Sequence, residues 1–493
     1  MKLTYKIVSG VLLGLLFSTS SCTDQLELEP TSVITNASFW KTEDDARGGL
    51  AGMYVRLRNE ALLNLYIYGE ARSEIMQKSL AGTLDYDRYY LNTLNQAAAG
   101  PDWIGLYAAV NAANLILKYV PTIPFNLEST KNSTLAQAHA MRAYLYFVMV
   151  RTWGDLPLRT EPTEGFDPQS TFLERSPASA VFTLIKEDID KALQLFPDNS
   201  FTTGRAQWSK ASVNALKADV YLWTAKRANG GAADFTTALN ACDEVAKADV
   251  ALLPDFSSIF RYTNKGNKEV LMASGFRYLE VGDNYFNNMY MAVGALPANA
   301  EAVSKTIVGV SGGNNVWEPS ALVRNQFSTD DQRRSGTFHE IYTTGANGAR
   351  NYFISVQVKG QGTVEGGVRF FVDDIILYRY ADVLLMKAEA KNGLGQDPSA
   401  EINQVRQRAY GAKFDAYKFV NGTKEANDAA ILKERLLELM LEGKRWWDLV
   451  RFGKAFDMVP SLQSQKGKDH LLLFPISSNV LSLEPKIKQN PGY

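Results

Sequence analysis

The chain has 493 residues, 46% of them hydrophobic and 21% charged, with a formal net charge of −1. That size and apolar content describe a globular protein of one to three domains and exclude a disordered or fibrous chain. The near-neutral balance excludes the basic surface that nucleic acid requires, and two cysteines, Cys22 and Cys242, exclude a disulfide scaffold.

Lys2 and Lys6 start the chain, the uncharged run from Ile7 to Phe17 follows, and Ser18–Ser21 lead into Cys22. Basic, apolar, small is the order of a secretory signal peptide. The apolar run is too short for a membrane-spanning helix, which takes roughly 20 residues. A cysteine closing the small-residue region resembles a bacterial lipoprotein signal, whose thiol is acylated and becomes the first residue. Ser20 and Ser21 fit that pattern, while Thr19 stands where Leu is usual. We expect residues 1–21 to be a lipoprotein signal peptide, Cys22 to be the lipidation site, and 22–35 to be an acidic tether carrying Asp24, Glu27 and Glu29.

From residue 36 the pattern becomes helical. Asn36 or Thr42 is placed to cap a helix whose first turn carries Glu43, Asp44 and Asp45. The amphipathic stretches Trp103–Val120, Ala136–Gly154, Ser176–Pro197, Ser209–Arg227 and Asp234–Lys247 follow. The second of these is apolar nearly all round and reads as buried. The third has a Ser cap with Pro in its first turn. Ala211, Ala215 and Ala218 lie at helix-crossing spacing, and the pairs resemble degenerate tetratricopeptide units. Cys242 reads as a small buried apolar residue.

From Asp255 to Asp374 the chain is rich in Gly, Asn and aromatic residues and lacks sustained helical periodicity. Short strands are expected inside 266–280 and 349–360. Helix is expected again over Ile375–Gly395 and in the segments that follow. The predicted fold class is mainly α: tetratricopeptide-like helix pairs packed against a loop-rich mixed region with short strands. Residues 36–493 are expected to form one globular unit, made of a helical part (36–250), a loop-rich binding region (251–374) and a C-terminal helical part with its tail (375–493).

Five segments carry a family resemblance in order along the chain. They are Phe39–Tyr54, Arg142–Leu158, Arg379–Ala390, Glu434–Lys454 and Leu473–Tyr493. Together, behind a lipoprotein-like start, they resemble the SusD/RagB family of Bacteroidetes outer-membrane lipoproteins. Two departures from its usual pattern are Ser477, in place of Pro, and Glu484, in place of Asn. The resemblance implies a non-enzymatic, lipid-anchored, cell-surface protein of the outer membrane. It implies a SusC-like TonB-dependent transporter as partner, an oligosaccharide or in some members a peptide as ligand, and no cofactor.

The blander readings of the striking motifs prevail. Glu434, Glu438 and Glu442 recur every four residues, as a pair of catalytic carboxylates could, but Arg435, Lys444, Arg445 and Arg451 beside them mark an ion-paired scaffold. Trp446 and Trp447 read as core. Asp373 and Asp374 read as helix-capping or solvated residues rather than a cation site. His139, His339 and His470 have no metal spacing, so no metal site is expected, and no nucleophile or phosphate-loop motif is present.

A sugar site needs aromatic faces for the C–H side of a pyranose ring, with amides, carboxylates or guanidinium beside them for the hydroxyls. Three stretches have that mixture. Leu84–Gln96 offers Tyr86, Arg88 and Tyr89, Gly282–Met291 offers Tyr285, Phe286 and Tyr290, and Gly312–Ser320 offers Asn315 and Trp317. The last two are expected to share one ligand platform. A surface glycoside hydrolase and a peptide-capturing relative are the alternative functions.

Overall fold

The computed structural model describes residues 39–493, and Thr42–Tyr493 form one unit. The expectations for Cys22 and for residues 1–35 lie outside the described residues.

The unit begins with α1 (Glu43–Ala61), capped by Thr42, whose side chain accepts from the Asp45 amide while the Asp45 carboxylate accepts from the Thr42 amide. Two donors that every helix start leaves open are thereby satisfied. α2 (Asn64–Gly69), strand β1 (Met76–Lys78) and α3 (Leu84–Tyr90) follow. Next come α4 (Ile104–Tyr119), α5 (Glu128–Trp153), α6 (Ala178–Leu195), α7 (Lys210–Arg227) and α8 (Gly231–Val245). Successive helices pack against one another, α1 on α4, α4 on α5, α5 on α6 and α7 on α8, and α8 passes the stack on to the C-terminal α9 (Tyr380–Gly393). This is the helix-pair architecture expected of the sequence.

α5 is the central helix. Between Ala136 and Trp153 every residue except His139 is buried, as the all-round apolar pattern requires. It begins earlier than its apolar stretch, because Glu128–Ser133 form polar first turns at the surface. α6 differs from expectation at its cap. Ser176 makes a two-way backbone bridge with Leu156 instead, and the orphan amide of Ala178 is met by the Asp155 carboxylate at 2.8 Å.

Among the described residues four small two-stranded antiparallel sheets occur, two within the loop-rich part and two tying it to its flanks. β1 pairs with β3 (Trp317–Pro319), and β2 (Val270–Ser274) pairs with β8 (Ile375–Arg379). β4 (Phe338–Thr344) pairs with β5 (Arg350–Gln357), and β6 (Thr363–Glu365) pairs with β7 (Val368–Phe370). Residues 375–379, expected as the start of a helix, form β8 instead. Both β2 and β8 are buried along their whole length, and pairing satisfies their backbone groups there. Helix α9 starts only at Tyr380.

α10 (Ser399–Tyr410) and α11 (Lys424–Leu439) pack on α9, and α12 (Arg445–Arg451) continues the chain. The final helix, α13 (Ser478–Leu483), is capped by Ser477, whose hydroxyl accepts from the Val480 amide. The C-terminal tail returns to the N-terminal half: the Phe474 amide donates to the Thr152 carbonyl at 2.7 Å, and Arg72 donates to the Leu473 carbonyl at 2.9 Å.

The carboxylate stripe is interior scaffold. Glu434, Glu438 and Glu442 are buried. Arg333 reaches Glu434 and Glu438 at 2.7 and 3.1 Å, while Arg379 reaches Glu438 and Glu442 at 2.6 and 2.7 Å. Burial alone would raise the Glu438 carboxyl, but Arg408, Arg379 and Arg333 hold it far below the usual range. Trp446 and Trp447 are buried beneath guanidinium groups, Arg72 over the first ring and Arg151 over the second.

Asp373 and Asp374 cap no helix. The Asp373 carboxylate accepts from the Gly362 amide and is pushed up to about 7 by burial. Asp374 accepts from the Phe276 amide and pairs with Lys265 at 2.8 Å. No group of potential metal ligands occurs among the described residues.

Candidate functional site

The eight residues expected to meet ligand divide into two groups. Five are interior. Trp317 is 1% exposed, Tyr290 0%, Asn315 2%, Tyr285 3% and Phe286 4%. A ring at that burial presents no face to a sugar, which corrects the expectation of a solvent-facing platform at residues 285–290 and 315–317.

The reason lies in partners far away in sequence. Trp317 sits on β3 opposite Lys78 of β1, and its ring lies among Tyr66, Tyr86 and Tyr89 at centroid distances of 6.0, 5.2 and 6.2 Å. Its indole N–H donates to the Tyr86 carbonyl at 3.2 Å. Tyr285 stacks on Tyr66 at 4.4 Å and donates its hydroxyl to the Leu441 carbonyl. The Tyr290 hydroxyl donates to the Val308 carbonyl. The two Asn-rich loops do adjoin, as expected, but they bond each other. The Asn314 amide donates to the Asn287 carbonyl, Asn315 to Tyr290 and Val316 to Asn288, at 2.7, 3.1 and 2.8 Å. Their backbone amides are thereby committed to each other, with Asn288 and Asn315 buried.

Tyr86 and Arg88, both half-buried, and Tyr89, buried at 7% exposure, form the second group. All three line one open surface cavity of about 440 Å³. α3 forms one wall, the loop Gln96–Gly100 the second, and Ser477–Asn479 at the start of α13 the third. The size lies in the range of small-ligand pockets, about 300–1,000 Å³.

Each wall is fixed by local chemistry. Trp317 supports α3 from below through the Tyr86 carbonyl and through edge contacts with both tyrosine rings. Asn95 folds its side-chain oxygen onto the amides of Ala97 and Ala98, each at 3.0 Å, which turns the loop. Gly100 ends that loop at φ +81°, where a Cβ would lie 2.9 Å from the Tyr89 ring, so glycine is required on both counts. Ser478 donates to the Gln96 carbonyl from its amide at 3.0 Å and its hydroxyl at 3.1 Å, and the Asn479 amide group donates to Asp102 at 3.0 Å. The tail is thereby stitched to the loop.

The chemistry of the cavity is mixed. Arg88 presents guanidinium donors and contacts Asp85, whose carboxylate is largely exposed. Burial pushes the Tyr89 phenol up to about 12, so it remains a neutral group. Gln96, Ser477, Ser478 and Asn479 add amide and hydroxyl groups on the opposite side. Donors and acceptors thus surround the half-buried Tyr86 ring, with Tyr89 buried beside it, the combination that a ring with hydroxyl groups on a hydrophobic face requires.

The loop from Ala97 to Gly100 and the placing of 477–479 beside it carry no signal in the sequence. "QAAAG" contains no aromatic or charged residue, and 477–479 lie some 380 positions away from the other walls, as Ser478 and Gln96 show. The two departures from the family pattern, Ser477 and Glu484, flank α13 beside this cavity.

Two family models match the chain, the SusD family over residues 314–493 and a family described as starch-binding, associating with the outer membrane, over residues 53–222. A SusD-like protein of Formosa agariphila is 28% identical over 515 residues, covering 96% of each chain. Among solved structures, NanU of B. fragilis is 34% identical with a TM-score of 0.86, covering 94% of this chain and all of that one. A SusD superfamily protein of Bacteroides vulgatus is 32% identical with a TM-score of 0.83, covering 92% of this chain and all of its own. The helical stack and small sheets are those of a SusD-like protein. This chain belongs to the SusD family.

Proposed function

We propose that the protein is a lipid-anchored lipoprotein of the outer-membrane surface that captures oligosaccharides and hands them to a SusC-like TonB-dependent transporter. The observation that carries the ligand assignment is the α3 cavity, where Tyr86, Arg88 and Tyr89 meet amide and hydroxyl groups from two distant segments. The family model described as starch-binding spans α3 and the loop 96–100, which supports a carbohydrate there. The carboxylate stripe supplies no acid–base pair, because its members are ion-paired in the interior. Binding without turnover is the reading this supports.

The test is a screen of the soluble chain, begun after the tether, against immobilised glycans and a peptide pool. Tyr86→Ala and Arg88→Ala should each weaken glycan binding on the order of tenfold, the scale of one aromatic or charged contact, with melting curves unchanged. Product release from a bound oligosaccharide, or capture of peptides alone, would overturn the reading.

A further inference from the structure

Beyond the α3 cavity, α13 borders a further depression. Further along that helix Val480 and Leu483 line a second cavity of about 210 Å³, whose lining includes Trp103 and Tyr107. Asn479 in the first cavity and Leu483 in the second are about 6 Å apart along the helix, at 1.5 Å per residue. Asp102, which holds Asn479, directly precedes Trp103. Arg159 lines the second cavity and also a third, of about 460 Å³, in the loop 158–173. The first two depressions are thus lined by successive residues of α13, and the second and third share Arg159.

The far end has its own sugar-binding chemistry. Phe166 is 73% exposed, and its ring is backed edge-on by Phe172 at 5.8 Å. The exposed ring offers a flat apolar face on which the C–H side of a sugar ring could lie. Thr160, Glu161 and Thr163 line the same depression. The loop that carries them is held from beneath. Asn114 donates to the carbonyls of Arg159 and Glu161 at 3.0 and 3.2 Å, and Arg142 donates to that of Thr160 at 3.2 Å. The Thr163 amide donates to the Asn111 side chain at 2.7 Å. Such fastening lowers the ordering that a ligand must otherwise impose.

The middle cavity lies along α13 and shares Arg159 with the far one. Its walls are mostly apolar, and Ile104 and Leu483 on its rim are 43% and 56% exposed. At one side Glu484 accepts from Arg159 through Oε1 at 3.1 Å, while its Oε2 is buried with no hydrogen-bond partner among the described residues.

We propose that a glycan chain bound at the α3 cavity runs on past Glu484 to a second ring platform at Phe166, so that the protein recognises the interior of an extended linear oligosaccharide rather than one terminal ring. This rests on the oligosaccharide reading above and adds chain length and a second site to it.

The test uses the soluble chain on an array of linear α-glucan, β-glucan, mannan, xylan and galactan series, each graded from disaccharide to long oligomer. In any series that binds, affinity should rise with length. Phe166→Ala should remove that rise, lowering affinity for the longest members on the order of tenfold, and should leave the shortest unchanged. Tyr86→Ala should weaken all lengths. Phe166 is exposed, so its variant should melt as the wild type does. Equal affinity for short and long members, or a length dependence untouched by Phe166→Ala, overturns the second platform and leaves the α3 site standing. Absence of binding in every series removes the oligosaccharide reading and the second platform with it.

Discussion

Trp317 shows how one residue type serves two ends. A tryptophan in a loop of Gly and Asn has the composition of a ligand contact, yet here the same ring is the support on which the ligand-facing residues rest. Its indole N–H fixes the Tyr86 carbonyl, and its faces and edges hold Tyr66, Tyr86 and Tyr89. Removing a fully buried aromatic side chain destabilises by about 3–5 kcal/mol. Trp317→Ala should therefore lower the melting temperature sharply, and affinity should fall because α3 loses its support. Trp317→Phe, which keeps most of the volume, should recover most of the stability. A normal melting curve for Trp317→Ala together with a lost ligand contact would return the ring to the binding face.

At the scale of elements, α11 and β8 are joined by charge rather than by apolar packing alone. Arg379, at the end of β8, reaches Glu269, Glu438 and Glu442, and Arg408 of α10 shares both Glu269 and Glu438. Breaking one member of such a buried network strands the others and costs about 3–5 kcal/mol. Glu438→Gln should lose that much in denaturant unfolding while binding per folded molecule stays intact. The pH dependence follows from the sign of the shift. A carboxyl held far below its unfolded value binds fewer protons when folded, so its stabilisation is present above the unfolded value near 4.5 and is lost as pH falls toward the folded one. Wild type should therefore lose stability steadily below pH 4.5, and Glu438→Gln should show a shallower acid limb. Equal acid limbs would mean that this carboxylate does not carry the charge the network requires.

For the whole molecule, the assembly into which this unit fits is the open matter. A protein that serves as the lid of a transporter needs an extensive contact, and stable specific interfaces bury at least about 1,200 Å². The full chain should co-purify with a SusC-like barrel from mildly solubilised outer membranes. Cys22→Ala should abolish acyl labelling and surface retention without altering the melting curve of the described unit. Recovery as a free monomer in several mild detergents would count against the partnership, and unchanged labelling would remove the anchor.

The helices, the buried character of α5 and a cap near the start of α1 were determined by sequence, because each rests on spacing within a few turns. So was the composition of α3, where Tyr86, Arg88 and Tyr89 fall within one turn of helix. That Glu434, Glu438 and Glu442 are ion-paired was legible too, but their partners Arg333 and Arg379 come from distant segments and not from the neighbouring Arg435, Lys444, Arg445 and Arg451. Tertiary structure alone decided which aromatics face solvent. Trp317 and Tyr285 are buried by Tyr66, more than two hundred residues away in sequence, and no local pattern encodes that pairing. It likewise decided that residues 375–379 extend against β2 instead of coiling, since an apolar run is compatible with either state until a partner strand fixes it. Above all, it brought Ser477–Asn479 onto the loop 96–100. A pocket wall made of backbone carbonyls and small side chains has no signature in composition, and only the returning tail, bonded at Gln96 and Asp102, creates it.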